Sequence, residues 1–178
     1  RAAGEDPAYR DPTSERRLQL SFIDISRAYF NAEVDPDEPL AVELPPEDPD
    51  HGDMVGFLQR HMYGTRRAAD GWQEEYSSAM VELGFVQGKS CPCIFWHEEK
   101  DILTSVHGDD FTSRGPKQEL DWLAMKLKER YDLKEGPRLG QGAGDAKEAC
   151  ILNRIVHWDD SGLWYEADPR QAERLVEE

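Results

Sequence analysis

Three aspartates stand out because each lies in or beside a stretch that otherwise favours β-structure. Asp109 and Asp110 are adjacent within DILTSVHGDDFTSR, residues 101–114. Glycine and aspartate between two β-prone runs predict a hairpin turn there. Asp24 lies within LQLSFIDISRAYF, residues 18–30, inside a predicted apolar strand. An aspartate in such a strand is costly to bury unless it is paired or binds a cation.

These carboxylates suggest a metal site if the fold brings them together. Asp24 beside the Asp109–Asp110 turn would form an oxygen-rich site of the kind that suits Mg²⁺. Two such ions about 3.5–4 Å apart can activate a 3′-hydroxyl and stabilise a leaving pyrophosphate. Nucleotidyl transfer is therefore one chemistry open to these residues, beside the alternative of a plain turn with solvated carboxylates, and the rest of the chain would be the scaffold that positions them.

The scaffold is predicted from hydrophobic periodicity. A period of two predicts a strand over 18–25, and helical spacing predicts helices over 68–83 and 116–131. Because strands, hairpins and helices alternate, we expect an α+β fold, an antiparallel sheet with helices packed on one face. Further elements predicted are short strands over 40–44, 54–62, 85–96, 151–158 and 163–165, a flexible glycine-bearing connection over 136–144, and a final helix that begins at Asp168-Pro169.

Charge and composition limit the class of partner and the compartment. The net charge is −16, and residues 33–53 carry acidic side chains and prolines without any lysine or arginine, which predicts a solvated loop. The one tight basic cluster is Arg60, Arg66 and Arg67. Three cysteines and no apolar leader favour reduced thiols, so we expect an intracellular location, cytoplasmic or nuclear, with no membrane partner. The missing initiator methionine suggests a segment of a longer protein.

Several motifs occur in a family-specific order. They are IDISRAYFN at 23–31, LPPE at 44–47, MYGTRRA at 62–68 followed by Trp72, and GDD at 108–110. In this order and spacing the chain resembles the copia-type retrotransposon reverse transcriptase, an RNA-directed DNA polymerase, from about residue 18 to residue 178. The resemblance implies a polymerase palm-like sheet and transfer of deoxynucleotides to a primer 3′-hydroxyl.

The resemblance also implies roles for individual residues. Asp24 and Asp109 would hold two Mg²⁺ ions, with Mn²⁺ as a possible substitute, and Asp110 would be the accompanying carboxylate. Tyr29 would exclude the 2′-hydroxyl of ribonucleotides. The implied catalytic and metal-binding residues are Asp24, Asp109 and Asp110, and the implied nucleotide-binding residues are Tyr29, Tyr63, Gly64 and Arg66.

Domain organisation follows from the same resemblance. Residues 1–17 would be an irregular N-terminal lead-in, and residues 18–178 the palm core, with the fingers incomplete and the thumb and RNase H domains absent. The implied partners are an RNA or DNA primer–template, deoxynucleoside triphosphates, and the other modules of a Pol polyprotein that also carries out DNA integration.

The chain departs from the family pattern at two places, and other functions therefore stay open. His107-Gly108 replaces the Tyr-Val that precedes the paired aspartates, and Ala69-Asp70 replaces Pro-Arg. Glycine adds backbone freedom to a turn that catalysis needs to be rigid. One alternative is a catalytically inactive, retrotransposon-derived acidic interaction module or decayed fragment. Another is a different Mg²⁺-dependent nucleotidyltransferase, such as a cyclase, on a related palm.

Overall fold

A computed structural model of the protein describes residues 11, 13–14, 16–166 and 169–177. In this part of the chain, strands and helices alternate as expected for an α+β fold. The strands are β1 (Leu18–Ile25), β2 (Ala41–Glu43), β3 (Val55–Phe57), β4 (Val86–Gln87), β5 (Ile94–His97), β6 (Ile102–His107), β7 (Asp110–Pro116), β8 (Leu133–Glu135), β9 (Leu139–Gly140), β10 (Glu148–Ile151), β11 (Arg154–Asp159) and β12 (Gly162–Glu166). The helices are α1 (Ala68–Glu82), α2 (Lys117–Arg130) and α3 (Pro169–Glu177), with a 3₁₀ turn at Ala28–Asn31.

The largest sheet has seven strands, in the order β4-β5-β6-β7-β1-β8, and β9 also pairs with β1. Strands β10–β12 form a second sheet, and β2 and β3 form a third. Within the described residues, all pairs of these strands are antiparallel. The predicted α+β class with antiparallel pairing is confirmed.

Helices α1 and α2 pack on the same face of the large sheet. The alternation of β1 sends Ile23 and Ile25 to this face, where they join the apolar stripes of both helices in the main core. Trp72 of α1 and Leu120 of α2 are each 1% exposed at its centre. Burying a large apolar side chain stabilises the fold by roughly 1.5–3 kcal/mol, so this core is what fixes the orientation of β1 and β7.

The opposite face of the large sheet is covered by a second, smaller cluster. Leu20 and Phe22 are half-buried there against Leu139, Ala149 and Val156 from β9, β10 and β11. The cluster covers the middle of β1 and stops short of Asp24, which is exposed at the end of the same face. The second sheet therefore shields the strand while leaving its carboxylate open to solvent.

Several regions differ from the sequence-based predictions. The strand predicted over 54–62 is present only as β3, and the strand predicted over 85–96 is present as two strands, β4 and β5. The glycine-bearing connection over 136–144 contains β9 and follows β8, and both strands pair with β1. It is also held by Asp145, which accepts hydrogen bonds from the side chains of Arg17 and Gln19 and from the Gly142 N–H. The predicted flexible connection is therefore wrong.

A further difference is that the strand predicted over 151–158 begins only at Arg154, as β11, and that Ile151 instead ends β10, a strand that was not predicted. Leu152 and Asn153 both have positive φ and form the turn between β10 and β11. The helix predicted to follow Asp168 is present as α3, although Asp168 itself lies outside the described residues. Most of the predicted lead-in over residues 1–17 also lies outside them. Among the described helices, none is long and apolar enough to cross a membrane.

Candidate active site

The register of the two central strands places Asp24 directly opposite Asp110. β1 and β7 pair from Leu18↔Pro116 to Asp24↔Asp110. Directly opposed residues project from the same face, with Cβ atoms typically 4.5–5.5 Å apart. Because Asp24 is exposed, the cost of burying an aspartate does not apply to it. Its neighbours Ile23 and Ile25, on the other face, are what the core buries.

The third aspartate lies in the turn that joins β6 to β7. His107 pairs with Asp110, which leaves Gly108 and Asp109 as a two-residue turn, and Gly108 has φ +60°. A two-residue hairpin turn commonly needs positive φ, which glycine adopts without steric cost. The glycine is therefore the residue that the turn geometry favours at this position.

Hydrogen bonds hold this turn from two sides. The Ile25 N–H donates to the Asp109 carbonyl oxygen at 2.9 Å, which ties the turn to the end of β1. The indole N–H of Trp72 donates to the Gly108 carbonyl oxygen at 2.9 Å, which ties it to α1. Although glycine adds freedom to an isolated turn, these contacts from the sheet and the helix restrain it.

An aromatic group lies beside the turn. The Tyr63 hydroxyl donates to Asp109 Oδ2 at 3.0 Å. The ring of Tyr63 is 4.4 Å from that of Tyr29 and 5.9 Å from that of Phe30, centroid to centroid. Burial raises the pKa of the Tyr63 phenol, and the hydrogen bond to Asp109 and its negative charge raise it further. The structure thus brings two of the predicted nucleotide-binding residues, Tyr29 and Tyr63, to the aspartates.

The two other aspartates act electrostatically on Asp110. The pKa of Asp110 is raised, first by burial and then by the negative charges of Asp24 and Asp109, whereas His107 acts in the opposite direction. Asp110 also lines a small cleft of about 70 Å³, together with Leu152 of the β10–β11 turn. A carboxylate whose pKa is raised by two like charges is a position that a cation would stabilise.

The three carboxylates are the kind of oxygen donor that Mg²⁺ prefers, but their side chains are not arranged around one common position for a metal ion. Oxygen ligands are what Mg²⁺ requires, and Asp24, Asp109 and Asp110 supply them. Nevertheless, no group of three or more His, Cys, Asp or Glu side chains placed to hold one metal ion is found in the described residues. One reason is that the Asp109 carboxylate faces Tyr63. Metal binding at this site therefore stays a prediction.

The three arginines of the predicted basic cluster line one cavity, and two of them form ion pairs. A cavity of about 670 Å³ lies between the start of α1 and the loop that follows Asn31, and all three arginines line it. Arg60 pairs with Glu33, and Arg67 pairs with Glu38. Arg66 makes no hydrogen bond or ion pair with another described residue, so no carboxylate in the described part of the chain neutralises its charge.

The remaining predicted residue is Gly64, which lies in the loop after Tyr63 with φ +86°. Arg66, two residues further on, lines the cavity, while the rings of Tyr29 and Tyr63 stack beside the aspartate turn. The cavity lining includes none of the three aspartates. The four predicted nucleotide-binding residues are therefore divided between the aspartate turn and the cavity.

Sequence reasoning missed two contacts of the site. Trp72 was predicted only as a core residue from its helical spacing, and it does lie in the core, but its indole N–H also holds the aspartate turn. The hydrogen bond from Tyr63 to Asp109 joins residues 46 positions apart. Neither contact leaves a local signal in the sequence, because each depends on how α1 and the 62–67 loop pack against the hairpin.

Comparisons with known proteins add a distant relationship. No family model matches the chain. A protein of Saccharomyces cerevisiae whose name ascribes it to the transposon Ty5-1 is 25% identical over 118 residues, which is 64% of this chain and 38% of that protein. The likeness indicates a transposon origin. The matched region spans well under half the length of this relative.

Proposed function

We propose that the chain is the palm-centred core of a copia-like reverse transcriptase, an RNA-directed DNA polymerase. The observation that carries the proposal is the register that sets Asp24 opposite Asp110, with Asp109 in the adjoining turn. The order of the family motifs and the likeness to a transposon protein support the same conclusion. As a proposal, this includes the palm-like character of the large sheet.

In this proposal the three aspartates would hold two Mg²⁺ ions. When bound, such ions activate the attacking hydroxyl and neutralise charge on the leaving group. Tyr63 orients the Asp109 carboxylate through its hydroxyl, and the hydrogen bonds from Ile25 and Trp72 keep the turn fixed. This fixed geometry matters because positioning and electrostatics supply most of the acceleration in phosphoryl transfer.

Tyr29 has a separate role in the proposal, in the choice of substrate sugar. Its ring stacks on that of Tyr63, which is hydrogen-bonded to Asp109, so the ring is held next to the site of transfer. A rigid ring at that place would leave no room for a 2′-hydroxyl. Replacement of Tyr29 by alanine is therefore expected to increase ribonucleotide incorporation relative to deoxynucleotide incorporation.

A second candidate function is that of an inactive acidic interaction module. It is favoured by the charge of −16 and by the pairing of Arg60 and Arg67 with nearby glutamates, which reduces the positive charge available for phosphates. Affinity for nucleic-acid backbones comes largely from lysine and arginine. Binding to a primer–template that weakens as salt rises would favour the polymerase, and no binding at low salt would favour the interaction module.

The decisive experiment is primer extension on an RNA template with Mg²⁺ or Mn²⁺. The protein is compared with its Asp109→Asn variant and with Asp132→Asn, an exposed carboxylate outside the site that pairs with Arg27. We expect incorporation by the wild type and by Asp132→Asn, and at least a hundredfold less by Asp109→Asn, about the effect of losing one key electrostatic group. Equal incorporation by all three would refute the assigned site, and no incorporation by any would favour the interaction module.

A further inference from the structure

The small sheet formed by β2 and β3 presents an apolar face that no described residue covers. Cross-strand pairing puts Ala41 opposite Phe57 and Glu43 opposite Val55, so these four side chains share one face. All four are exposed, with Phe57 60% and Val55 53% accessible. Exposed apolar side chains that are contiguous in this way typically mark an interaction site.

The other face of the same hairpin explains why it is ordered. Leu40, Val42, Leu44 and Leu58 are half-buried there, and the side chains of Val42 and Leu44 lie close to Gly56. The hairpin thus has its own apolar side. Neither apolar cluster of the core contains a residue of β2 or β3. The folding of this hairpin therefore does not depend on the apolar side chains of the exposed face.

The charge carried by the two strands and the turn between them is only negative. Glu43 lies on the face itself, and the turn between the two strands adds further carboxylates without any lysine or arginine. The two ion pairs found in this region use Glu33 and Glu38, which precede β2. The carboxylates of β2 and of the turn form no ion pair with another described residue; they are Glu43, Glu47, Asp48, Asp50 and Asp53.

We propose that this face docks a basic, apolar segment of another protein, with lysine or arginine alternating with large aliphatic side chains. In an extended segment, alternate residues point to opposite sides. The aliphatic set would pack on Phe57 and Val55, and the long lysine or arginine side chains would bend around the edges of the segment to reach Glu43 and the carboxylates of the β2–β3 turn. The proposal does not depend on polymerase activity.

Charge decides between this occupant and two others. A second copy of the chain would bring the same uncompensated carboxylates together, and like charges placed across an interface cost several kcal/mol. A nucleic acid would place phosphates against them and would be repelled for the same reason. A basic segment instead gains from long-range attraction and from burial of the apolar face.

The test is fluorescence anisotropy with a labelled peptide of alternating lysine and leucine. The wild-type protein is titrated at low and at high salt, together with a lysine–serine peptide and a glutamate–leucine peptide. We expect the lysine–leucine peptide to bind about tenfold or more tightly than either control peptide, with an affinity that falls as salt rises.

Matched variants separate the apolar face from charge alone. Phe57→Ser should weaken binding of the lysine–leucine peptide about tenfold, and Glu43→Gln should reduce its salt dependence. The controls are Val86→Ser, an exposed valine on the edge strand β4, and Glu99→Gln, an exposed glutamate in the β5–β6 turn. Both controls should leave binding unchanged. Thermal melts show whether each variant is folded. If Phe57→Ser does not fold, Val55→Thr is a second variant that removes apolar surface from the same face.

Three outcomes would overturn the proposal. The first is equal binding of the lysine–serine and lysine–leucine peptides, which would mean charge attraction without an apolar site. The second is equal weakening by Phe57→Ser and Val86→Ser. The third is concentration-dependent dimerisation of the wild type in sedimentation equilibrium that Phe57→Ser abolishes, because the face would then join two copies of the chain.

Discussion

Removing a carboxylate from the Asp24–Asp110 pair should stabilise the protein. In the absence of a cation, two negative charges directly opposite each other on neighbouring strands repel. At a separation of about 5 Å and a dielectric constant near that of water, the repulsion is about 0.8 kcal/mol. The value for water gives a lower limit, because Asp24 is exposed but Asp110 is half-buried. We therefore expect Asp24→Asn and Asp110→Asn each to raise the free energy of unfolding by about 1 kcal/mol at pH 7 and low salt.

The pH dependence gives an independent check with a defined sign. The pKa of Asp110 is raised in the folded protein, so the native state binds this proton more tightly than the unfolded state does. The contribution of Asp110 to stability is therefore fully present below the unfolded pKa of about 3.9 and is lost as pH rises through its folded value. The stabilisation gained from Asp110→Asn should accordingly grow as pH rises through that window.

The assay is urea unfolding followed by circular dichroism, with Asp132→Asn as control. Asp132 is exposed and pairs with Arg27, so its replacement should leave stability unchanged or slightly lower it. The double variant of Asp24 and Asp110 should gain less than the sum of the two single variants, because either change alone removes their mutual repulsion. Two single variants that destabilise the protein would refute the reasoning, since they would mean that the carboxylates make favourable contacts.

Addition of Mg²⁺ connects this prediction to the proposed site. A cation that binds the native state stabilises it by about 1.4 kcal/mol when its concentration is ten times the Kd. We expect MgCl₂ to stabilise the wild type and to have a smaller effect on either variant, relative to an NaCl control of equal ionic strength. Identical effects of MgCl₂ on wild type and both variants would mean that the carboxylates do not bind the ion.

Three further predictions concern the residues that support the site. Trp72→Phe removes the hydrogen bond to Gly108 and leaves a gap in the core, so it should lower the free energy of unfolding in urea by about 2–3 kcal/mol. A decrease below about 0.5 kcal/mol would refute the role of Trp72 in holding the turn. A Gly→Ala change in a helix interior normally stabilises a protein by up to about 1 kcal/mol. Gly71→Ala should instead lower the melting temperature, because the added Cβ meets the His61 ring. Recovery of the melting temperature in the double variant with His61→Ala would support this cause, and a raised melting temperature in Gly71→Ala alone would contradict it. The pKa of Asp145 is lowered, because hydrogen bonds from Arg17 and Gln19 outweigh the effect of burial. Asp145→Asn should therefore reduce the free energy of unfolding by about 3 kcal/mol at pH 7, and by progressively less as pH falls below about 4. A cost that does not change with pH would contradict the ion pair.

The local elements could be predicted because their signals lie within a few residues. Alternation over residues 18–25 predicts a strand, and the structure confirms it as β1, although only the packing of the core shows that the face of Ile23 and Ile25 is the buried one. The apolar stripes of α1 and α2 and the glycine–aspartate hairpin turn are confirmed in the same way. In each of these cases a period of 2 or 3.6 residues, or one turn dipeptide, contains the information.

The strands β8 and β9 could not be predicted in this way. They have three and two residues, and the glycines around them are typical of a connection. Such short strands form because β1 offers hydrogen-bonding partners along its edge, and because Asp145 holds the segment that follows through an ion pair with Arg17. A partner distant in the chain, rather than local propensity, decides these elements.

The sequence by itself determined which side chains carry the candidate chemistry. Asp24, Asp109 and Asp110 are fixed by residue type, and the strand and hairpin that contain them are fixed by local pattern. Only the tertiary structure decided that β1 and β7 pair in the register that sets Asp24 against Asp110, and that Tyr63 meets Asp109. The physical reason is that register and loop packing depend on burying Ile23 and its neighbours beneath two helices, which is a property of the whole core.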